Sequence, residues 1–465
     1  MLLPTTLRVR DLLHGYVYLT DIEKRVVNHK LFQRLRHIRQ NDVAFLVYPS
    51  MNTARFEHSI GCAHVAGRMA ESMIQASPAW EEYRSELGLS DKEFVQACRL
   101  YALLHDVGHF PLSHLFESAV DGKNWFPDSK FSKIHEAAGE LISKMILAEV
   151  DVPKAVREVV EAVLSEKKMA LDSCLRPIKQ LVDFEVDADR TDSIARDGRL
   201  AGGEWGTYDI ERICTAVRLQ HHESGWRLAY FYKAMSSLQS LLLDRCRVHA
   251  WVHYHHRVVA LKTATIACIR WLVQSEVIGR DDFDFNDPDK LMHRDDVWLW
   301  GLLRDEYVPA MVESGSESYP VPAFVSTARK AMLWRDKDSL SLMWKRGPQY
   351  QEWMGSLATY VGKEDLSGQK LLSASDYEDV LTKELGVPAN CYEVKFAPLS
   401  SDSIPLVDEN GEEAGILSKK SEFIASLRTF WRDVPEFFIV LYGSPPMSAS
   451  EAKEAWIHAS SSFVV

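Results

Sequence analysis

The sequence predicts a mainly α-helical protein with a small α+β region towards its C-terminal end. Two observations support this fold class. Up to about residue 275, apolar residues recur every three to four positions, as in the run from Ile60 to Met73. After about residue 388 the pattern changes to short alternating or β-branched runs. We therefore predict a helical core over residues 1–275, a helical subdomain over 276–387 and an α+β region over 388–465.

The composition is that of a folded globular chain. The 465 residues are 46% hydrophobic and 26% charged, which excludes a disordered chain and argues against an integral membrane protein. The most apolar stretch, 258–273, is interrupted by Lys262 and Arg270. The first residues lack the apolar core of a secretion signal. We expect a cytoplasmic location and no membrane partner.

Charge and cysteine content exclude further classes of function. Lys and Arg number 54 and Asp and Glu 66, so the net charge of −12 repels polyanions and argues against nucleic acid as a partner. A small anion could still be bound locally. The seven cysteines form no C-x-x-C pair, which predicts reduced thiols and argues against cysteine-ligated zinc.

The second half of the chain contains clear loop and strand signals. Polar stretches at 280–290 and 312–322 predict loops on either side of a helical segment around Val297–Trp300. Beyond residue 388, the runs 391–396 and 437–442 predict strands. Between them, Asn410-Gly411 predicts a hairpin turn, and the segment 419–430 predicts a helix. The serine-rich tail, 447–463, is expected to be partly loose.

The most informative segment is an apolar helical run that starts at Tyr101 and ends in His105-Asp106-Val107-Gly108-His109. An imidazole and a carboxylate together favour a divalent first-row cation. His58 lies upstream, and a polar segment, 187–197, lies downstream. A His-Asp pair alone is more often an ordinary surface or core pair. The order His, His-Asp, Asp on three helices is more specific.

This order resembles the HD-superfamily phosphohydrolases, and in particular their deoxynucleoside triphosphate triphosphohydrolases, the bacterial dGTPase-like enzymes included. Five segments carry the resemblance in the family's order: Asp11–Gly15 (DLLHG), Phe32–Gln40 (FQRLRHIRQ), Arg55–Gly61 (RFEHSIG), Leu103–His114 (LLHDVGHFPLSH) and Asp187–Asp197 (DADRTDSIARD). Together they cover at least residues 8–260. The resemblance implies that the helical core is an HD domain.

The resemblance also implies a metal cofactor and a set of catalytic groups. The expected ligands of one divalent ion are His58, His105, Asp106 and Asp189. Two imidazoles and two carboxylates fit manganese, iron or magnesium better than structural zinc. The family places further groups around the scissile bond at His109, His114, Glu117 and His135, and we assign His114 as the acid that protonates the leaving oxygen.

Substrate contacts follow from the same resemblance. Phosphate-binding positions are expected at Arg55, Arg190 and Arg245. Sugar and base contacts are expected at Gln40, Ser193, Asp197, His253 and Tyr254. Ser193 and His253 stand where the family's animal enzyme has tyrosines, so the preferred sugar and base stay open. His249, His253 and His256 are expected to share one helix face.

A regulatory site is the last implication. Gln33 and Arg36 match an effector pocket that the family builds between subunits, whereas Asn28 replaces its guanine-reading aspartate. Whether a nucleotide acts as an effector therefore stays open, and specificity for guanine is not expected. The resemblance implies a homo-oligomer, a tetramer or a hexamer.

The activity that the resemblance implies is hydrolysis of a dNTP at the α-phosphate, which releases a deoxynucleoside and inorganic triphosphate. Such an enzyme would serve nucleotide-pool housekeeping or defence against phage. Two alternatives stay open: an HD phosphohydrolase of another nucleotide (an NTP, an NMP or a signalling nucleotide), and a catalytically silent nucleotide-sensing or nucleic-acid-binding module. The complete ligand set argues against a silent module.

Overall fold

The computed structural model describes residues 3–120, 133–165, 172–304, 323–334, 340–342, 388–394, 404–430 and 437–442, with a few isolated positions besides. This part of the chain is mainly α-helical with small sheets, which confirms the predicted fold class. The loop predicted at 312–322 and most of the tail at 447–463 lie outside the described residues. The division into three regions stays a prediction.

Eighteen α-helices lie in the described residues. Their bounds are α1 Asp21–Asn28, α2 Lys30–Gln33, α3 Arg55–Ala76, α4 Trp80–Leu87, α5 Asp91–Leu104, α6 His114–Ala119, α7 Ile134–Glu149, α8 Lys154–Ser165, α9 Arg176–Gln180, α10 Ala188–Leu200, α11 Ile210–Ala216, α12 Met235–Val248, α13 His256–Gln274, α14 Pro288–Leu291, α15 Asp296–Arg304, α16 Ala323–Trp334, α17 Leu417–Lys420 and α18 Glu422–Phe430.

Helix α3 runs through the centre of the core. It begins where Glu57 accepts a hydrogen bond from the Ala54 backbone N–H, which satisfies one of the free donors at the helix start. Most of its residues are buried, and it packs against both α5 and α10. Helix α5 begins at a capping box formed by Ser90 and Glu93 and carries the predicted apolar run. These three helices place the residues of the candidate site.

Nine strands form three sheets in the described residues. Their bounds are β1 Leu7–Asp11, β2 Gly15–Leu19, β3 Val217–His222, β4 Gly225–Phe231, β5 Leu340–Leu342, β6 Ala389–Glu393, β7 Pro405–Val407, β8 Glu413–Ile416 and β9 Phe437–Tyr442. Strands β1 and β2 form an antiparallel hairpin, and the other two sheets have the orders β3-β4-β7-β8 and β5-β9-β6. The parallel pair β4-β7 joins the C-terminal hairpin to strands of the core.

The C-terminal strand predictions are largely confirmed, whereas the helix predicted at 419–430 is divided at Ser421 into α17 and α18. Strand β9 has the predicted bounds, and strand β6 overlaps the predicted run at 391–396, whose last two residues lie outside the described part. The Asn410-Gly411 turn closes the β7-β8 hairpin, with Gly411 at φ 81°. Helix α15 contains the segment predicted around Val297–Trp300.

Two hairpins, neither of them predicted, interrupt the region that was expected to be mostly helical. Strands β1-β2 precede the first helix, and strands β3-β4 follow α11. Strand β4 pairs with β7, which lies far along the chain, so the surroundings that stabilise this hairpin leave little signal in the local sequence. None of the described helices is both long and apolar enough to cross a membrane. All seven cysteines are free thiols.

Candidate active site

Three helices bring the predicted metal ligands together. His58 lies in the first turn of α3, and His105 and Asp106 follow the last residue of α5. Asp189 lies in the first turn of α10. Because α3 packs against both other helices, side chains from residues far apart in sequence converge beside the start of α3. We refer to these four residues as the metal group.

The distances within the metal group suit a shared ion. His58 Nε2 lies 3.1 Å from Asp189 Oδ1 and 3.8 Å from Asp106 Oδ2. His105 Nε2 lies 3.4 Å from Asp106 Oδ1. The ligand atoms of His58, His105 and Asp106 all lie within 4.8 Å of one another, and Asp189 joins them through His58.

Hydrogen bonds at the opposite ring nitrogens fix how both imidazoles face the site. His58 Nδ1 lies 2.9 Å from Asp192 Oδ2, and His105 Nδ1 lies 2.7 Å from the Ala102 carbonyl oxygen. Each Nδ1–H therefore donates, which leaves a lone pair on each Nε2. Both Nε2 atoms are buried without a hydrogen-bond partner among the described residues. Two lone pairs that face carboxylates fit a divalent cation.

The electrostatics of the metal group also require a positive charge. Burial disfavours the charged form of His58, but the carboxylates of Asp189 and Asp192 raise its pKa from 6.5 to about 10, so the ring is protonated without a cation and a bound metal ion would take the place of the proton on Nε2. Burial would raise the pKa of Asp106, but Arg55 and the neighbouring histidines hold it well below its usual value. Ionised carboxylates at this buried position need a proton or a metal ion between them.

A second cluster lies beside the metal group and contains the four predicted catalytic residues. The His109 and His135 rings stack with centroids 4.1 Å apart, and the His114 ring lies 4.9 Å from that of His109. Glu117 Oε2 lies 3.0 Å from His114 Nδ1, and Glu117 Oε1 bonds to His135 Nδ1. The side chain of His114 is 59% exposed. We call these residues the His-Glu cluster.

The His-Glu cluster has the residue types that proton transfer needs, and its ligand atoms also lie within 4.8 Å of one another, as in a group that could hold a metal ion. The planes of the His109 and His135 rings are only 15° apart, so the in-plane lone pairs of the two stacked rings lie in nearly parallel planes. Burial would raise the pKa of Glu117, but hydrogen bonds with His114 and His135 lower it strongly. Burial lowers the pKa of His114, and the hydrogen bond with ionised Glu117 opposes that shift, so Glu117 is the group that favours the protonated ring which a general acid requires.

The two groups are in direct contact. His109 Nε2 lies 3.3 Å from Asp106 Oδ1, which connects the His-Glu cluster to a predicted metal ligand. Arg34, which was not among the predicted site residues, is buried, and its guanidinium donates to the His109 carbonyl oxygen at 2.8 Å. Arg34 lies inside the segment Phe32–Gln40, so its place in a family motif was the available signal.

Each of the three predicted phosphate-binding arginines contacts a carboxylate. Arg55 pairs with Asp106 and donates to Ser113 Oγ at 2.8 Å. Arg190 pairs with Asp187, and Arg245 lies 2.9 Å from Glu185. Asp187, which the sequence analysis did not single out as a site residue, also accepts a hydrogen bond from the Arg190 backbone N–H at the start of α10. Burial raises the pKa of Asp187 to about 7, although Arg190 opposes the shift.

Polar side chains meet at the predicted sugar-binding positions. Asn41 Nδ2 donates to Asp197 Oδ1 at 2.6 Å, and His253 Nε2 lies 3.2 Å from Asp197 Oδ2. Gln40 Oε1 is buried without a hydrogen-bond partner in the described part of the chain. Ser193 and Tyr254 are half-buried. The residues that were predicted to contact the sugar therefore include hydrogen-bonding groups.

The expected helix face that carries His249, His253 and His256 is only partly present. His249 and His253 lie on a π-helical turn with ring centroids 5.0 Å apart. The helix breaks at Tyr254, and His256 begins α13 with its ring 4.3 Å from that of His255. The wider π-helical turn and the break after it separate His256 from the other two histidines.

The predicted effector residues lie close together near the start of the chain. Gln33 donates to the Val27 carbonyl oxygen at 2.6 Å, and Arg36 donates to Gln33 Oε1 at 2.7 Å. The Arg36 guanidinium lies 3.5 Å from the ring centroid of Phe56, while Asn28 ends α1 and is exposed. These residues present polar groups at the protein surface.

Comparison with known proteins supports the family resemblance. The HD domain model matches residues 55–246. An uncharacterized protein of Methanocaldococcus jannaschii is 27% identical over 296 residues, which is 64% of this chain and 54% of that protein. Human SAMHD1, a deoxynucleoside triphosphate triphosphohydrolase, is 21% identical over 81% of this chain and 58% of its own length. The SAMHD1 homolog of Dictyostelium discoideum is 35% identical over 24% of this chain and 20% of its own length.

A solved structure has a similar fold. The crystal structure of a hypothetical protein from Aquifex aeolicus matches with a TM-score of 0.66 and 18% identity, over 97% of this chain and 99% of that one. The chain spans a little over half the length of three curated relatives that it matches, namely 54%, 51% and 58%. Residues 55–246 of the chain match the HD domain, and the core is similar to that of the SAMHD1 enzymes.

Proposed function

We propose that the protein is a metal-dependent phosphohydrolase that cleaves a deoxynucleoside triphosphate at its α-phosphate. The products are a deoxynucleoside and inorganic triphosphate. The observation that carries this proposal is the pair of buried, unpartnered Nε2 atoms of His58 and His105, which face the carboxylates of the metal group. The similarity of the core to SAMHD1 enzymes supports the choice of substrate.

His58, His105, Asp106 and Asp189 would hold one divalent cation, for which manganese, iron and magnesium are all suitable. When bound, such a cation neutralises charge on the phosphate oxygens and lowers the pKa of a water molecule. The fixed Nδ1–H donors of the two histidines keep their lone pairs directed at the site.

The proton for the leaving 5′-oxygen comes from the His-Glu cluster. His114 is the most exposed of its histidines and is therefore the one that a substrate can reach. With Nδ1–H donating to Glu117 Oε2, the protonated ring directs Nε2–H towards the substrate side. Glu117 also bonds to His135, so one carboxylate orients both rings.

The arginines bind the triphosphate by charge-assisted hydrogen bonds. Arg190 is the most accessible of the three, with 26% of its side chain exposed, and its pairing with Asp187 leaves further N–H donors free to face phosphate oxygens. Arg55 touches Asp106 itself, so a phosphate held there would lie beside the cation. These contacts add specificity for a polyphosphate over a monophosphate.

A second candidate substrate is a ribonucleoside triphosphate. Half-buried Ser193 and the Asp197–His253 pair stand at the sugar positions, and both offer polar groups to a hydroxyl. Side chains that can form hydrogen bonds tolerate a 2′-hydroxyl on the sugar better than a packed aromatic ring does. The substrate test must therefore compare both sugars.

The test is a nucleotide panel with identified products. Protein loaded with manganese, iron or magnesium is incubated with each dNTP and NTP, singly and in pairs, and products are separated by ion-exchange chromatography. Equal amounts of deoxynucleoside and inorganic triphosphate support the proposal. Release of pyrophosphate or orthophosphate, or no turnover under any condition, contradicts it. The same preparation with Asp189→Asn controls for contaminating phosphatases, because it removes one proposed ligand with almost no change in shape.

A further inference from the structure

The segment Asp11–Gly15 carries part of the family resemblance but has no role in the chemistry described so far. In the structure it is the turn of the β1-β2 hairpin. Asp11 Oδ1 accepts hydrogen bonds from the backbone N–H groups of Leu13 and His14 at 2.7 and 2.9 Å, and Gly15 adopts φ 70°. This turn directs His14 inwards, where its side chain is only 5% exposed.

His14 reaches the metal group through one carboxylate. Its Nε2 lies 2.8 Å from Asp192 Oδ1, while Asp192 Oδ2 lies 2.9 Å from His58 Nδ1. Asp192 therefore bridges a histidine of the N-terminal hairpin and a proposed metal ligand of α3. Both oxygens of this fully buried carboxylate take part.

Arg196 closes the network on its other side. Its Nε and Nη2 donate to the two oxygens of Asp192 at 2.9 and 2.7 Å, and its Nη1 donates to Asp11 Oδ2 at 3.1 Å. The result is a closed ring of contacts from Asp11 through His14, Asp192 and Arg196 back to Asp11. Because these groups are buried, loss of one member leaves a charged or polar partner unsatisfied.

The partner at the far nitrogen of a metal-binding histidine sets the orientation and basicity of that ligand. Asp192 is that partner for His58, and His14 and Arg196 hold Asp192 in place. A hydrogen bond missing at His14 would let the Asp192 carboxylate rotate, and His58 would lose its fixed orientation.

We propose that His14 is a positioning residue for the metal site: through Asp192 it holds His58, so that the N-terminal turn Asp11–Gly15 sets the affinity for the divalent cation. The proposal rests on the metal site of the proposed function. It assigns a role to a residue that lies 178 positions from Asp192 in the sequence.

The experiment measures the dissociation constant for Mn²⁺ by competition with a chelator, using full-length chains. His14→Ala should bind Mn²⁺ about 10- to 100-fold more weakly than the wild type. His14→Gln should recover most of that loss, because its amide nitrogen lies about as far from Cα as His Nε2 and can donate to Asp192. His14→Asn is one carbon shorter and should not recover it.

His64→Ala is the matched control. The His64 ring lies 4.9 Å from that of His14, and both histidines line one cavity of about 530 Å³ beneath the hairpin. His64 lies outside the ring of contacts described above, so its removal should leave the affinity for Mn²⁺ within about two-fold of the wild type. Thermal unfolding of the metal-free variants separates an effect on the site from a loss of fold.

Three results would overturn the proposal. The affinity of His14→Ala could match that of the wild type and of His64→Ala. The Ala, Gln and Asn variants could lose affinity and thermal stability equally, which would make the role of His14 purely structural. A wild-type protein that binds no Mn²⁺ would end the proposal and the metal site together. The nucleotide panel reports failure of the proposed activity separately, because the wild type can bind Mn²⁺ without releasing triphosphate.

Discussion

His58 illustrates how much one residue of this protein depends on its neighbours. Its ring is fully buried, one nitrogen donates to Asp192, and the other faces Asp106 and Asp189. Holding these buried carboxylates against the imidazole costs little free energy only when a positive charge lies between them and the ring. The chemistry of the site therefore begins with the arrangement of hydrogen bonds around a single imidazole.

Loss of His114 tests the assignment of the general acid. In His114→Ala we expect kcat to fall by about 10² to 10⁴, because the leaving oxygen then departs without a positioned proton donor. The amount of metal bound at the metal group should not change, since His114 is not one of its four residues. Ser118→Ala is a suitable control on the same helix, since among the described residues the Ser118 hydroxyl donates only to the His114 carbonyl oxygen. Unchanged kcat in His114→Ala would refute the assignment.

His64 predicts a dependence of stability on pH. Burial and the neighbouring His14, Arg99 and Arg68 lower its pKa from 6.5 to about 3, while Asp11 opposes the shift weakly. Because the folded protein resists protonation of this ring, its contribution to stability is complete above pH 6.5. That contribution is lost as the pH falls from 6.5 towards 3.

Urea unfolding of the wild type and His64→Gln at pH 7.0 and 4.5 checks this prediction. The wild type should lose about 2 kcal/mol more of its free energy of unfolding than the variant over this interval, because glutamine does not titrate. Other groups titrate equally in both proteins, so their effects cancel in the comparison. Parallel losses in the two proteins would show that His64 is not held in its neutral form.

Residue chemistry could be predicted only in part. The segments around His58, His105 and Asp189 identified candidate ligands because metal-competent side chains lie at helix ends in a recognisable order. The ring of contacts from Asp11 to Arg196 could not be predicted, since it depends on the position of the hairpin turn against α10. The sequence alone does not show that residues as far apart along the chain as Asp11 and Arg196 are close together in space.

At the scale of elements, the close approach of α3 and α10 determines the site. Gly61 faces Asp192 and Arg196 across this contact, and a Cβ atom at Gly61 would lie 2.0 Å from Asp192 Oδ1. No real contact is that short, so glycine is required here by space. The absence of a side chain at Gly61 lets α10 bring Asp189 and Asp192 to either side of His58.

Gly61→Ala should therefore destabilise the fold by about 1–3 kcal/mol and weaken metal binding, because Asp192 must move away. Gly301→Ala is the control: Gly301 lies on the exposed side of α15 with open space around it, and alanine there should stabilise the helix by about 0.5–1 kcal/mol. Urea unfolding measures both changes. Wild-type stability in Gly61→Ala would show that the two helices are farther apart than described.

The helices were easier to predict than the strands. Periodicity indicates α3, because apolar residues recur every three to four positions from Ile60 to Met73. Helix α5 is instead buried on all sides from Phe94 to Leu104, and its signal is a mostly apolar run. Strand β4 pairs with β7, which belongs to the C-terminal region, so its stability depends on partners that no local window contains. The same long-range pairing joins the predicted α+β region to the core.

At the scale of the whole molecule, the effector residues predict assembly and regulation. Gln33 and Arg36 are bonded to each other at the surface beside exposed Asn28, where a neighbouring subunit could complete a nucleotide pocket. A nucleotide that binds only between subunits must also promote their assembly. We therefore expect turnover of one dNTP to rise when a second nucleotide is added.

Arg36→Ala should lose this activation while it keeps its metal, because Arg36 contacts Gln33 and Phe56 and lies outside the metal group. Light scattering and paired-nucleotide assays on both proteins provide the measurement. Arg25→Ala is a control for loss of surface charge, since Arg25 forms an exposed pair with Asp21 on α1. A wild-type monomer with hyperbolic, unactivated kinetics would refute the regulatory prediction and leave the hydrolase proposal intact.

The metal site is the claim on which the rest of the account depends, and metal content tests it most directly. Purified wild type and Asp106→Ala are loaded with Mn²⁺, desalted and analysed by inductively coupled plasma mass spectrometry. We predict about one ion per chain in the wild type and almost none in the variant, because the substitution removes an anionic ligand that contacts both His58 and His105. Circular dichroism should show that the helices persist. Equal metal content in the two proteins, with full activity in Asp106→Ala, would contradict the account.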